Sequence, residues 1–154
     1  MRFTGVIAAV AAAALAIIPT FAAKCSTAPG ATDAEQLEAI KDFAKSFLVI
    51  KNIQKGFDDW IPGTYINHNP NAQSGRENAL NALRPFVSNP SLQFTVAQVF
   101  AGQGYGLIHY RARIPGQLDM AIMDRFRFEG TCIVEHWDVG QTITGREPNP
   151  IAFF

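Results

Sequence analysis

The 154-residue sequence has few cysteines, few histidines and no net charge. It contains two Cys and three His, and its 13 Lys and Arg residues balance 13 Asp and Glu. Nucleic acids and anionic membrane surfaces are bound by a concentrated cationic face, which this balance disfavours. Metal-binding spacings such as CxxC or HExxH are also absent, so we predict neither a metal site nor these partners.

Apolar residues, by contrast, are abundant. Hydrophobic residues make up 48% of the chain and aromatic residues 11%, including 12 Phe. This composition excludes an intrinsically disordered chain. The length corresponds to one domain that can bury a core and still enclose a cavity.

Residues 1–22 are typical of a secretory signal peptide. The run 3–23 carries no charge and is rich in Ala, and residues 20–22 provide the small-x-small pattern for cleavage after Ala22. We therefore expect a secreted, extracellular protein. The alternative is an uncleaved membrane anchor, which is disfavoured because Ala is weakly apolar and Pro19 interrupts the run.

Secretion affects how the two cysteines, Cys25 and Cys132, are interpreted. An oxidising compartment allows thiols to pair. We predict a disulfide that ties the mature N-terminus to a late strand, and two free thiols remain the alternative.

The first half of the mature chain predicts two helices. Thr32 and Glu35 form a capping box, from which a long helix is expected to run to about Gly56. Apolar residues recur along it at spacings of three and four: Leu37, Ile40, Phe43, Ala44, Phe47, Ile50, Ile53 and Phe57. A second helix is expected over 75–87, and the segment 58–70 between them reads as loop with at most one short strand or helical turn.

The second half predicts four strands separated by short glycine-containing turns. Their expected ranges are 92–101, 105–114, 118–128 and 132–142. Short turns require antiparallel neighbours. Helices followed by such a meander indicate an α+β domain in which the helices cover one face of a curved sheet.

Two-residue turns at Gly116-Gln117 and Gly130-Thr131 would determine the strand register. In that register His109 lies opposite Asp124, and Asp124 lies opposite Trp137. One face of the sheet then carries Leu107, His109, Arg111, Ile122, Asp124, Phe126, Phe128, Ile133, Glu135 and Trp137. His136 falls on the opposite face, where a structural or interfacial role is expected, and a one-residue bulge would invert part of this assignment.

A carboxylate beside an imidazole on an aromatic wall suits general acid/base chemistry. Burial and a neighbouring charge adjust such a pair so that it accepts and returns a proton near neutral pH. The alternative is a buried ion pair or hydrogen bond that only fixes the strand register.

Four stretches of the chain carry a resemblance to a known family. They are YINHNP at 65–70, GRE at 75–77, DRFRFEG at 124–130 and IVEHWD at 133–138. In their order and spacing they resemble the SnoaL-like polyketide cyclase family of the nuclear transport factor 2-like superfamily. The resemblance covers residues 35–142, so residues 23–34 are an N-terminal extension and residues 143–154 a C-terminal tail.

The resemblance implies a cone-shaped α+β barrel, made of a curved antiparallel sheet packed on N-terminal helices around one deep apolar pocket. It also implies a homodimer and an intramolecular aldol condensation without a cofactor. In this family a strand Asp acts as acid/base beside a His on the neighbouring strand, and Asp124 and His109 match those positions. The substrate would be a small apolar carbonyl compound, bound by Tyr65, His68, Trp60, Ile122, Phe126, Glu135 and Trp137.

Two other functions remain open from the sequence. The same pocket would suit a non-catalytic small-molecule binding protein. The same His-Asp pair would also suit a dehydratase or hydrolase that acts with water, because one fold supports many activities.

Overall fold

The structure, a computed structural model, describes residues 22–154. Within that range three helices pack on one five-stranded sheet. The predicted signal peptide lies outside the described residues except for Ala22. No helix in the described part is long and apolar enough to span a membrane.

The first predicted helix is interrupted. Helix α1 (Asp33–Ala44) begins with the predicted Thr32–Glu35 capping box, continues into a π-helical turn (Lys45–Val49), and is followed by α2 (Ile53–Trp60). The expectation of one helix to Gly56 is therefore wrong. The chain breaks at Lys51, where φ is +59°, and the Asn52 side chain accepts a hydrogen bond from the Lys55 amide to cap α2.

The second predicted helix is confirmed as α3 (Arg76–Val87). Its buried residues Ala79, Leu80 and Val87 join the core that α1, the π-helical turn and α2 form against the sheet. The core is rich in aromatic residues: Phe43, Phe47, Phe57, Tyr65, Tyr110, Phe126 and Phe128 are all buried. This packing places the apolar face of the helices against one face of the sheet.

The four predicted strands are confirmed, and the sheet has one strand more. The strands are β1 (Ile66–Asn67), β2 (Gln93–Gly102), β3 (Tyr105–Arg113), β4 (Asp119–Glu129) and β5 (Cys132–Ile143). Their spatial order is β1-β5-β4-β3-β2. Short β1 pairs in parallel with β5, so the described sheet is mixed and open rather than wholly antiparallel.

The predicted register between β3 and β4 is wrong by one residue. Ile108, not His109, lies opposite Asp124, and His109 lies opposite Met123. The cause is the turn: the Gln117 amide donates to the Ile114 carbonyl, so Pro115 and Gly116 are its central residues. A one-residue slip moves every side chain of β3 to the other face.

The register between β4 and β5 begins as predicted and then shifts. The turn at Gly130-Thr131 pairs Glu129 with Cys132, but a bulge leaves Val134 unpaired. Beyond the bulge Asp124 lies opposite Asp138 rather than Trp137. Because the extra residue inverts the alternation, the later residues of β5 exchange faces.

The N-terminal extension is fastened to the turn between β4 and β5. Cys25 and Cys132 form the predicted disulfide, and the Thr131 amide donates to the Ser26 carbonyl. Gly130 lies directly beneath this segment with φ of +58°. A Cβ atom at Gly130 would lie 2.1 Å from the Ser26 carbonyl oxygen, so only glycine fits here.

We predict that Gly130→Ala lowers the free energy of unfolding more than Gly116→Ala does. Both glycines have positive φ, which costs alanine about 1–2 kcal/mol, but nothing lies within 4 Å of a Cβ atom at Gly116. Gly130→Ala adds a backbone clash, with overpacking worth about 1–3 kcal/mol. Urea denaturation of both variants measures the difference, and equal losses would contradict the packing described here.

Candidate active site

A cavity of about 380 Å³ lies between the helices and the inner face of the sheet. Most of its wall is apolar or aromatic, and its polar groups cluster where β4, β5 and the chain around β1 meet. The lining residues used below are Phe43, Phe47, Phe57, Tyr65, Asn67, Asn69, Tyr110, Ile122, Asp124, Phe126, His136 and Asp138. A concave apolar site with a few converging polar groups is typical of small-molecule binding.

Asp124 is the buried charged residue of this wall. Only 4% of its surface is exposed. The Tyr110 hydroxyl on β3 donates to its Oδ2 atom at 3.0 Å, and His136 Nε2 on β5 lies 3.4 Å from its Oδ1 atom. Both carboxylate oxygens therefore face a specific partner, as a buried carboxylate requires.

His136 reaches Asp124 because of the bulge in β5. Its imidazole stacks on Phe126, with ring centroids 4.9 Å apart. On the other side of the ring, Nδ1 lies 3.0 Å from Asn67 Oδ1. That oxygen also accepts the Asn69 backbone amide at 3.3 Å, which identifies it as the oxygen of the amide.

These contacts determine where the imidazole carries a proton. Since Asn67 Oδ1 is an acceptor, His136 Nδ1 must be the donor. The Nε2 lone pair of a neutral ring would then point at a carboxylate oxygen, and two acceptors repel each other. One further proton between Nε2 and Asp124 would remove this conflict, so the geometry suits proton exchange between the two residues.

The two asparagines of the Asn67-His68-Asn69-Pro70 motif both serve the inner face of β5. Asn67 orients His136, and the Asn69 amide group donates to the carboxylate of Asp138. The parallel pairing of β1 with β5 brings these residues together. The motif thus positions the polar end of the cavity through residues other than its histidine.

Two tyrosine hydroxyls complete the polar end. Burial, followed by the charge of Asp124, raises the pKa of both Tyr65 and Tyr110 well above the ordinary value of 10.0. Both are therefore neutral donors at physiological pH. The Tyr65 hydroxyl has no hydrogen-bond partner among residues 22–154 and remains free to donate to a bound ligand.

The structure places only part of the predicted site at the cavity. Asp124, Tyr65, Ile122 and Phe126 line it. His109 does not: the one-residue register difference turns it to the outer face of the sheet, where it stacks on Phe154 with centroids 4.8 Å apart. The expectation that His109 accompanies Asp124 is wrong, and His136 occupies that place.

Four other predicted ligand-binding residues also lie away from the cavity. The bulge turns Glu135 and Trp137 to the outer face. There Glu135 pairs with Arg127 at 2.6 Å, and His68 stacks on Trp137 with ring centroids 4.7 Å apart.

Polar contacts hold the side chains of His68 and Trp60 outside the cavity. His68 Nε2 lies 2.9 Å from Glu135, and the hydrogen bond from His68, with the Arg127 contact second, lowers the pKa of the Glu135 carboxyl. Trp60 donates its indole N–H to Asp42 at 3.0 Å. These contacts hold His68 Nε2 and the Trp60 indole N–H away from the cavity, and neither residue is part of its lining, so the expectation that they line it is wrong.

Sequence reasoning missed Tyr110, His136, Asp138 and the two asparagines. His136 and Asp138 have the two-residue spacing of one strand face, which was the available signal. The face on which they lie depends on the bulge at Val134, and no residue in the preceding turn predicts that bulge.

We predict that the two buried tyrosines make the protein sensitive to alkali. Below pH 10 both tyrosines are neutral in the folded and in the unfolded protein, so the stability that they contribute does not depend on pH. Above it the unfolded chain releases protons that the folded chain retains, and the free energy of unfolding falls by about 1.4 kcal/mol per pH unit for each tyrosine. Urea denaturation between about pH 9 and pH 11 measures this slope. Tyr110→Phe should reduce it, and an unchanged slope would contradict the assignment.

No protein-family model and no curated protein matches the chain in sequence, whereas solved structures match its fold. A candidate hydroxylase, AclR, from Streptomyces galilaeus has a TM-score of 0.59 at 15% identity, covering 71% of this chain and 91% of that one. A candidate SnoaL-like polyketide cyclase from Jannaschia sp. CCS1 has a TM-score of 0.55 at 15% identity, covering 71% and 87%. An NTF2-like protein of unknown function from Cytophaga hutchinsonii has a TM-score of 0.56 at 12% identity, covering 73% and 92%. The chain therefore has the nuclear transport factor 2-like fold that the sequence resemblance implied.

Proposed function

We propose that the protein catalyses cofactor-independent proton transfer on a small apolar carbonyl compound, with Asp124 as the acid/base and His136 as its partner. The observation that carries this proposal is the position of Asp124 between Tyr110 and His136 on the wall of an apolar cavity. The candidate SnoaL-like polyketide cyclase among the proteins of similar fold supports a cyclase or isomerase type of reaction.

In the first step the Asp124 carboxylate removes a proton from the carbon next to the substrate carbonyl. The electron pair of that C–H bond moves toward the carbonyl oxygen, which gives an enolate. The shared proton on His136 Nε2 and the Tyr110 hydroxyl hold the carboxylate in place, and positioned acid/base catalysis contributes about 10²- to 10⁴-fold to the rate.

The Tyr65 hydroxyl stabilises the enolate. It is neutral and buried, and it has no other hydrogen-bond partner in the described part of the chain, so it is available to donate to the developing oxyanion. The Asp124 carboxyl group then returns the proton to a different carbon in an isomerisation. In an aldol cyclisation the enolate carbon attacks a second carbonyl of the same molecule, and that oxygen receives the proton.

We predict that Asp124→Asn removes catalysis while ligand binding remains, because the amide is a neutral isostere that cannot take the proton. The measurement is proton–deuterium exchange next to the carbonyl of cyclic aryl ketones such as tetralone, followed by NMR in deuterated water. The exchange rate should fall at least about 10²-fold, with the ketone affinity largely kept. His136→Gln should also slow exchange.

His109→Gln is the matched control, because His109 lies on the opposite face of the sheet, and it should exchange at the wild-type rate. Wild-type exchange in Asp124→Asn would refute the mechanism. Ketone binding without any exchange above the buffer rate in the wild-type protein would show a binding protein instead.

We further propose that the mature chain is exported and forms a homodimer through the outer face of the sheet. The Cys25–Cys132 disulfide supports an oxidising compartment. The neighbouring side chains of Met123 and Val139 on the outer face are 49% and 72% exposed, which supports a partner surface. Mass spectrometry of the secreted protein tests cleavage after Ala22, and a monomer in sedimentation experiments would contradict the dimer.

A further inference from the structure

The cavity has an uneven distribution of charge. Two carboxylates, Asp124 and Asp138, line it, but no Lys or Arg of residues 22–154 is among its lining residues. When Asp124 and His136 share their proton, that pair has no net charge. The negative charge of the cavity therefore belongs to Asp138.

Asp138 has no cationic partner among residues 22–154. The Asn69 amide group donates to its Oδ2 atom, which satisfies one oxygen without neutralising the charge. A half-buried carboxylate next to an apolar cavity is costly unless a cation pairs with it. A bound cation would supply the missing partner.

The remaining walls also favour a cation, provided that it is organic. Seven Phe and Tyr rings line the cavity: Phe43, Phe47, Phe57, Tyr65, Phe86, Tyr110 and Phe126. The electron-rich faces of such rings attract ammonium groups, and this attraction is strongest where water is excluded. An anionic ligand would meet the carboxylate of Asp138 without a Lys or Arg among the described lining residues to pair with it, so its binding would be disfavoured.

From this charge and these walls we infer that the cavity selects a ligand with a protonated amine on an apolar ring skeleton, and that Asp138 binds the amine. This inference rests on the proposed function, because it names the substrate class of the same site. A divalent metal ion is the competing occupant, since ligand atoms of Asp124, His136 and Asp138 lie within 4.8 Å of one another. A volume of about 380 Å³ with aromatic walls fits an organic cation better, because hard metal ions require several oxygen ligands or waters.

Three naphthalene probes of equal ring size test this selectivity: naphthylmethylamine, naphthylmethanol and naphthoate. Calorimetry at neutral pH should find that the amine binds at least about tenfold more tightly than the alcohol, a difference of about 1.4 kcal/mol. Naphthoate should bind most weakly. Asp138→Asn should abolish the amine preference while keeping the affinity for the alcohol.

Glu135→Gln is the matched control, because Glu135 is a carboxylate on the outer face of the same strand, and it should keep the amine preference. The inference is overturned if naphthoate binds as tightly as the amine, if Asp138→Asn keeps the preference, or if no probe binds. Displacement of the amine by micromolar Mn²⁺ would instead assign the site to a metal. Ketone exchange that depends on Asp124, without any preference for the amine, would leave the proposed function intact and refute only this inference.

Discussion

The β-bulge at Val134 is the constraint on which the polar end of the cavity depends. One extra residue in β5 turns His136 and Asp138 inward and turns Glu135 and Trp137 outward. Without it the inner face would carry no imidazole next to Asp124. Bulges often redirect side chains next to functional sites, and here the bulge follows directly after the turn that the N-terminal disulfide fastens.

From the bulge a chain of polar contacts extends across four neighbouring strands. Asn67 on β1 accepts from His136 on β5, and His136 faces Asp124 on β4. Tyr110 on β3 donates to the other oxygen of Asp124. Such a connected network holds each side chain in one orientation and defines the donor at each step. The aromatic residues around it make an unpaired charge costly, which connects the fold to the proposed chemistry.

Local sequence patterns predicted the elements well. The Thr32–Glu35 capping box, the ends of α3 and the glycine turns all depend on residues close in sequence, and the structure contains each of them. The sheet register was harder to predict because one additional residue in a turn or bulge shifts the pairing of the whole strand. The turn centred on Pro115-Gly116 moved His109 outward, and the bulge moved His136 inward.

Asp124 kept its predicted face because the alternation within β4 is regular. Its imidazole partner was mistaken because the neighbouring strands are displaced by one residue on both sides. Tyr110 was overlooked for the same reason, since the wrong register placed it outside. The face on which a strand residue lies can be predicted from the local pattern. A contact between two strands can be predicted only if every turn and bulge between them is also predicted correctly.

The most direct test of this account is the protonation of the His136 ring, measured by two-dimensional ¹⁵N NMR of labelled mature protein. The chain has three histidines, and His136→Gln assigns the signal. We predict a protonated Nδ1 that exchanges slowly with solvent, because it donates to Asn67. A neutral ring with its only proton on Nε2 would contradict donation from Nδ1 to Asn67, and with it the doubly protonated ring on which the proposed acid/base pair depends.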